Sequence, residues 1–190
     1  MSRTTTDRVR WTTAALELLP DNGNRYEIVD GELFVTRAPH WDHQEVCDNI
    51  CTELKMWSRQ TGLGRAVSGA GIIFTDADNV IPDVVWASNE RLAALLDDAG
   101  HLTAAPELVV EVLSPGEENE RRDRQVKLKL YASQGVREYW IADWRKQQIQ
   151  VYRREQATLV LVATLFANDQ LSSPLLPGFT CLVARLFSQG

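Results

Sequence analysis

This 190-residue sequence has few cysteines, no long apolar run and no excess of basic residues. Its three cysteines, Cys47, Cys51 and Cys181, form no disulfide framework and offer too few ligands at suitable spacing for a zinc site, so we expect buried, reduced thiols. No stretch approaches the roughly 20 apolar residues of a membrane span. The N-terminus has no apolar segment typical of a secretory signal. These absences predict a cytoplasmic protein without a membrane partner.

Basic residues are outnumbered, because 20 lysines and arginines face 26 aspartates and glutamates, for a formal net charge of -6. Proteins that bind nucleic acid normally carry a basic surface against the phosphates. The overall balance therefore argues against DNA as a partner, although a local group of arginines can still contact phosphates. Arg121, Arg122 and Arg124 form such a group, and a solvated helix face is the alternative interpretation.

The length predicts a single domain over residues 1–190 with a substantial buried core. We predict strands at 26–29, 32–35, 66–74, 80–86, 108–113, 136–142, 148–153 and 158–165, and helices at 12–19, 42–60, 89–97, 119–134 and 182–187. Asp30-Gly31 predicts a hairpin between the first two strands, Asp42 an N-cap and Gly135 a C-cap. This order indicates an α/β (α+β mixed) fold with a mixed central sheet flanked by helices.

Two carboxylates lie inside strands that are otherwise apolar. Asp83 follows Val80-Ile81-Pro82, and Glu111 stands among the aliphatic residues of 108–113. A buried carboxylate costs several kcal/mol unless it is paired or binds a cation. One interpretation is that each acid pairs with an arginine or with backbone N–H groups; the other is that both acids share one ligand.

The helix predicted at 119–134 carries a lysine on its apolar side. At about 100° per residue, Lys127 falls between Leu130 and Tyr131, inside the inward arc, whereas Lys129 falls at the edge of that arc and is expected to be solvated. A lysine on an apolar face can extend its amine to solvent. We prefer the alternative, in which Lys127 reaches the two carboxylates.

These residues belong to a series of short motifs whose order is more specific than any one of them. The series consists of Tyr26–Leu33, His43, Ile81-Pro82-Asp83, Asn89-Glu90-Arg91, Leu108–Pro115, Arg122–Ala132 and Gly135–Asp143. It resembles the Uma-two family of restriction endonucleases, in the PD-(D/E)XK nuclease superfamily, over about residues 25–155. The resemblance implies the restriction-endonuclease-like fold.

The resemblance also implies an enzyme, a Mg²⁺- or Mn²⁺-dependent endonuclease that hydrolyses DNA. Asp83 matches the family's PD aspartate and Glu111 its second acid, and both would bind the metal ion with the Val112 carbonyl as a third ligand. In the superfamily a lysine lies two residues after the second acid, where this chain has Leu113. The family places its lysine on the following helix, where Lys127 matches.

Two further residues match family positions. Glu32 resembles the acid in the second strand of the hairpin, where it would support a metal-bound water or a second cation; an exposed hairpin residue is the alternative. His43 begins the helix at 42–60. The favoured interpretation is that His43 caps the helix or packs in the core. The alternative is that it acts as a base or contacts a phosphate.

The resemblance implies DNA as the substrate and a homodimer as the assembly. A second hypothesis is an interaction protein that keeps the nuclease fold with weak or lost activity, which the acidic composition and the absence of a base-reading motif favour. A third is a metal-binding protein that uses His40, His43 and the nearby cysteines.

Overall fold

The computed structural model describes residues 9–187. Its strands are β1 Arg25–Val29, β2 Glu32–Thr36, β3 Gly64–Ser68, β4 Ile72–Thr75, β5 Asp78–Val80, β6 Val84–Ser88, β7 Leu108–Val112, β8 Glu138–Asp143, β9 Gln148–Glu155, β10 Thr158–Phe166, β11 Gln170–Ser172 and β12 Thr180–Leu182. Its helices are α1 Thr13–Leu16, α2 Trp41–Thr61, α3 Asn89–Leu95, α4 Glu117–Arg121, a π-helical segment Arg122–Lys127, α5 Leu128–Gln134 and α6 Val183–Leu186. No helix among these residues is both long and apolar enough to cross a membrane.

A six-stranded sheet forms the centre, in the order β10-β9-β8-β7-β6-β3. The pair β7–β8 is parallel and the other pairs are antiparallel. A second sheet has the order β2-β1-β5-β4, and β11 pairs with β12. The predicted fold class, a mixed sheet flanked by helices, is therefore confirmed.

Alternation along β7 places Glu111 on the face of the central sheet that packs against α5. Leu108, Val110 and Val112 pack into the core between the sheet and α2, whereas Val109 packs into the core between the sheet and α5. Because successive side chains of a strand point to opposite faces, Glu111 shares the α5 side with Val109.

Turn and cap residues determine the β1–β2 hairpin turn, the start of α2 and the end of α5. Asp30 and Gly31 both have positive φ, 50° and 74°, as a two-residue hairpin turn requires, which confirms the predicted hairpin. The predicted cap at Asp42 is wrong, because His40 Nδ1 accepts the Asp42 N–H at 3.2 Å and Asp42 lies in the first turn. Gly135 ends α5 with φ 96°, as predicted.

Two predicted strands are each divided between the two sheets. The strand predicted at 66–74 is β3 and β4, separated at Gly69-Ala70-Gly71. The strand predicted at 80–86 is β5 and β6, separated at Ile81-Pro82-Asp83, where proline supplies no N–H for a ladder. Asp83 therefore lies where the chain crosses between sheets and not inside a strand.

The helix predicted at 119–134 is continuous but contains a π-helical turn. Hydrogen bonds in a π-helix join residues i and i+5, and such turns are frequent at functional sites. The turn buries Arg122, Asp123 and Lys127. In an α-helix Arg122 would lie about 140° from Lys127, whereas the wider turn brings the two to the same side.

Close contact between β3 and β6 requires a glycine at position 64. A Cβ there would lie 2.6 Å from Cζ2 of Trp86 and closer still to the carbonyl oxygen of Ala87. We predict that Gly64→Ala lowers the free energy of unfolding by about 1–3 kcal/mol, the usual effect of overpacking, measured by denaturant unfolding. Arg65→Ala, at an exposed position of the same strand, is the control and is expected to change it by less than about 0.5 kcal/mol. Equal effects of the two substitutions would contradict the steric explanation.

Candidate active site

A pocket of about 130 Å³ opens between the hairpin β1–β2, the start of α2 and the ends of β5 and β7. Its lining is rich in ionisable side chains. These side chains include Arg25, Glu27, His43, Asp83, Glu111 and Lys127.

Asp83 has protein partners on both carboxylate oxygens. Oδ1 accepts from Arg25 Nη1 at 3.0 Å, and Oδ2 accepts from the Val112 N–H at 2.8 Å. His43 Nε2 lies 3.4 Å from Oδ2. Burial acts to raise the pKa of Asp83, but the contacts with His43 and Val112 and the charge of Lys127 hold that pKa below its ordinary value. Asp83 is thus a carboxylate under ordinary conditions.

Glu111 stands next to Asp83, since continuing the β6–β7 register of Val84 with Val110 sets the two acids opposite each other. Glu111 Oε1 accepts from Lys127 Nζ at 2.9 Å and from the Tyr131 hydroxyl at 2.7 Å. Among residues 9–187, no donor hydrogen-bonds to its second oxygen, Oε2. This leaves one carboxylate oxygen of Glu111 available to a ligand.

Lys127 is buried, with a side chain only 2% exposed. Its Nζ lies 2.8 Å from Glu27 Oε1 and 2.9 Å from Glu111 Oε1, with Asp123 Oδ1 at 3.9 Å. Burial acts to lower the pKa of Lys127, but the charges of Glu111 and Glu27 raise it above its ordinary value. The amine therefore stays charged, as an ammonium group among carboxylates from three elements.

Glu27 on β1 forms the second close ion pair with this ammonium group. Its Oε1 also accepts the Ile81 N–H at 2.8 Å, so it ties the hairpin to the segment that carries Asp83. Behind Lys127, Arg122 Nε donates to Asp123 Oδ1 at 3.1 Å, and the Tyr139 hydroxyl donates to the Asp123 carbonyl at 3.0 Å. The π-helical turn is thereby held against the sheet.

Negative charge exceeds positive charge in this cluster. Four carboxylates, Glu27, Asp83, Glu111 and Asp123, face three cations, which leaves a formal charge of -1 with His43 neutral. The three cations are Arg25, Arg122 and Lys127. Burial and then the neighbouring carboxylates raise the pKa of Glu111 to about 8, although Lys127 acts to lower it. The excess charge favours either a proton on Glu111 or a cation in the pocket.

Four of the predicted site residues, Asp83, Glu111, Lys127 and His43, meet at the pocket, and Val112 lines it. Glu32 does not join them. It is exposed at the start of β2 and lines a separate surface groove, because the hairpin register pairs it with Val29 at the turn end of the strands.

The three arginines predicted to contact DNA differ in exposure. Arg121 is exposed, as predicted. Arg122 is only 7% exposed and donates to Asp123 and to Thr36 Oγ1. Arg124 is half-buried against Glu120, Asp143 and Gln150. The interpretation that these arginines lie on a solvated helix face is therefore wrong for Arg122 and Arg124. The π-helical turn directs Arg122 inward, and ion pairs hold Arg124 against the protein.

Four residues at the site are not among the predicted site residues, namely Arg25, Glu27, Asp123 and Tyr131. A usable signal existed for Glu27, which stands between Tyr26 and Ile28-Val29 as an acid in an apolar strand. The same criterion selected Glu111. Asp123 and Tyr131 lie within the motif Arg122–Ala132, and no comparable signal marks Arg25.

Comparison with known proteins gives a family and a fold. The family model described as "Uma2: Putative restriction endonuclease" matches residues 13–184. No curated protein matches the chain in sequence. Among solved structures, a "putative nuclease belonging to DUF820" from Anabaena variabilis superposes with a TM-score of 0.72 at 17% identity, covering 93% of this chain and 97% of that chain. At this identity the superposition supports the fold alone.

The raised pKa of Glu111 predicts a pH-dependent stability in metal-free buffer. Since the folded-state pKa is about 8 and the ordinary value is 4.5, the folded protein binds this proton more tightly than the unfolded chain does. The stabilisation is complete below about pH 4.5 and is lost as pH rises through about 8.

We predict that the Tm of Glu111→Gln, whose side chain stays neutral, rises relative to that of the wild type between pH 5 and 8. The measurement is thermal unfolding in a buffer that contains a metal chelator. Glu32→Gln is the exposed control, and a Tm difference for Glu111→Gln that does not change with pH would contradict the assignment.

Removing the ammonium group is expected to destabilise the protein strongly. Lys127→Ala leaves Glu27, Glu111 and Asp123 buried without their shared cation, and loss of one partner of a buried ion pair costs about 3–5 kcal/mol. We expect a loss of that size in denaturant unfolding at pH 7. Lys129→Ala, two residues along and exposed, is the matched control with an expected change below about 0.5 kcal/mol. Similar losses for both variants would show that Lys127 has no special electrostatic role.

Proposed function

This chain belongs to the Uma2 family of restriction-endonuclease-like proteins, and we propose that it is a metal-dependent endonuclease that hydrolyses phosphodiester bonds in DNA. One observation carries the proposal. The Lys127 ammonium group is held at hydrogen-bonding distance from Glu111, beside Asp83, in one pocket. Two acids and a lysine are the residue types that the PD-(D/E)XK superfamily uses, although here the lysine comes from a helix.

The residues of the pocket fit a divalent cation such as Mg²⁺ or Mn²⁺. Both ions prefer oxygen ligands, and the pocket offers the unpartnered Oε2 of Glu111, the Asp83 carboxylate and one excess negative charge. Asp83 and Glu111 would hold the ion, with the Val112 carbonyl as a further ligand. When bound, the ion supplies Lewis-acid polarisation of the phosphoryl group and lowers the pKa of water.

The chain's own residues supply positioning and a hydrogen-bond donor. Lys127 Nζ donates one hydrogen bond to Glu111 Oε1 and forms an ion pair with Glu27, which leaves donor capacity for the attacking water or a phosphate oxygen. Glu27 fixes the amine in place, so it is a positioning residue. Tyr131 fixes the Glu111 carboxylate by donating to Oε1. His43 maintains the orientation of Asp83.

Further phosphate contacts, one at the pocket and one in the neighbouring groove, are proposed for two exposed arginines. Arg37 lines the pocket and is exposed. Arg121 lines the neighbouring groove beside β2. Arg122, at the boundary of both, is occupied by Asp123 and Thr36 and acts within the protein. A homodimer is proposed from the superfamily resemblance alone.

A competing proposal is a nuclease-fold interaction protein without catalytic activity. The observation that favours it is the Arg25–Asp83 ion pair at 3.0 Å, which places a guanidinium group on an oxygen that a metal ion would use. If that pair is permanent, divalent ions bind weakly and no cleavage follows.

The deciding experiment incubates purified protein with supercoiled plasmid, with and without Mg²⁺ or Mn²⁺. We expect metal-dependent nicking that falls by about 10²–10³-fold in Glu111→Gln, since loss of one preorganised electrostatic group costs that much. Lys129→Ala is the control and should cleave at the wild-type rate. Calorimetry with Mn²⁺ on the wild type and on Glu111→Gln separates failure to bind the ion from failure to cleave. Nicking that survives in Glu111→Gln would refute the proposed site, and Mn²⁺ binding without nicking would favour the interaction protein.

A further inference from the structure

A second set of possible metal ligands shares Asp83 with the acidic pair and adds His43 and Cys47, neither of which binds the ion of the proposed reaction. His43 and Cys47 are one turn apart on α2, and Asp83 approaches them from the segment between the sheets. His43, Cys47 and Asp83 are 5%, 1% and 7% exposed. One ligand atom from each of the three lies within 4.8 Å of the others. The metal-binding hypothesis drawn from the sequence named His40, His43 and the nearby cysteines but not Asp83, which is 36 residues beyond Cys47.

The contacts within this group are close to the spacing of ligands around a tetrahedral ion, but they involve both ring nitrogens of His43. Cys47 Sγ lies 3.6 Å from His43 Nδ1, and His43 Nε2 lies 3.4 Å from Asp83 Oδ2. Bonds of about 2.0–2.3 Å to Zn²⁺ set neighbouring ligand atoms roughly 3.5 Å apart. Only one imidazole nitrogen can bind a given ion, so the three ligand atoms, which lie within 4.8 Å of one another, must approach more closely to reach the roughly 3.5 Å spacing around Zn²⁺.

The donor set determines the class of cation. A thiolate, an imidazole and one carboxylate are the ligands that Zn²⁺ and similar transition-metal ions prefer, whereas Mg²⁺ requires oxygens. Ligands at positions i and i+4 of a helix are a recurrent way of presenting two groups to zinc. The excess negative charge of the adjacent cluster adds to the attraction for a second cation.

We propose that His43, Cys47 and Asp83 form a binding site for a thiophilic divalent ion of the Zn²⁺ class, distinct in its ligands from the Mg²⁺ site but sharing Asp83 with it. The site would have three protein ligands and one open position, a coordination that zinc accepts. Binding removes the proton of Cys47, whose thiol pKa is raised mainly by burial, and the ion takes its place.

Sharing Asp83 gives the ion a consequence for activity. An ion held by His43, Cys47 and Asp83 withdraws one of the two carboxylates from the Mg²⁺ site, so Zn²⁺ would inhibit cleavage. This consequence rests on the proposed nuclease function, whereas the binding itself does not.

The binding test uses Co²⁺, which has ligand preferences close to those of Zn²⁺ and gives a near-ultraviolet charge-transfer band when a thiolate binds it. Co²⁺ is titrated into the metal-free full chain without DNA or Mg²⁺. We expect a saturable band with one ion per chain, abolished by added Zn²⁺. We expect Cys47→Ser to lose the band and to weaken Co²⁺ affinity by at least about 10–100-fold, the loss that even an outer-shell substitution can cause.

Cys51→Ser is the matched control, because Cys51 is another buried thiol of the same helix, one turn further on, and is not among the three ligands. It should keep the band, as should Cys181→Ser. If Cys47→Ser does not fold, Cys47→Ala and Asp83→Asn replace it, and the latter should weaken Co²⁺ binding about tenfold or more while the thiolate band remains at saturation.

Absence of the band in the wild type, or its persistence in the Cys47 variants, would overturn the proposal. Loss of the band in Cys51→Ser would assign it to a different site and would also overturn it. None of these outcomes depends on whether the protein cleaves DNA, so a failed nuclease assay and a failed cobalt titration are separate results.

Discussion

The buried ammonium group of Lys127 is the interaction on which the rest of the site depends. It contacts carboxylates from β1 and β7 and lies near a third on its own helix. A charge removed from water is tolerated only when partners replace the lost solvation. Here the partners come from separate elements, so the ion cluster also fixes the hairpin, the central sheet and the helix relative to one another.

The π-helical turn is the structural means of satisfying that cluster. In a regular α-helix, Lys127 would face the sheet with Asp123 on its side, while Arg122 would point about 140° away. Widening the helix brings Arg122 to the same side, where its guanidinium group pairs with Asp123 and reaches Thr36. Without this arginine the cluster would carry four carboxylates against two cations. The local distortion thus reduces the charge imbalance that the four acids create.

Much of the site could be predicted because its acids stand out against apolar neighbours. Glu111 within Leu108–Val112 and Lys127 between apolar positions of its helix are anomalies that any periodicity argument detects. Glu27 carries the same anomaly, but the family resemblance indicates Glu32, on the other strand of the hairpin.

The parts of the fold that escaped prediction are those where local sequence does not specify the partner. Residues 66–74 and 80–86 have continuous strand-forming character, yet each divides between two sheets at residues 69–71 and 81–83. Strand propensity reports only that a segment suits a pleated surface. It does not report which sheet receives it, and a proline or a pair of glycines allows the chain to leave one sheet for another.

The buried acids of this site affect how the negative net charge of the chain should be interpreted. Under the proposed function, a formal charge of -1 in the pocket would repel a phosphate group, and a low-dielectric surrounding would strengthen that repulsion. A divalent cation between Asp83 and Glu111 would reverse the sign, and the exposed Arg37 and Arg121 would then extend a positive surface outward. The proposed function therefore requires that the carboxylates bind a metal ion before the pocket binds a phosphate group. Net charge over the whole chain is therefore a weak guide to the proposed DNA partner, since the four acids of the cluster are buried and their charge is confined to the interior.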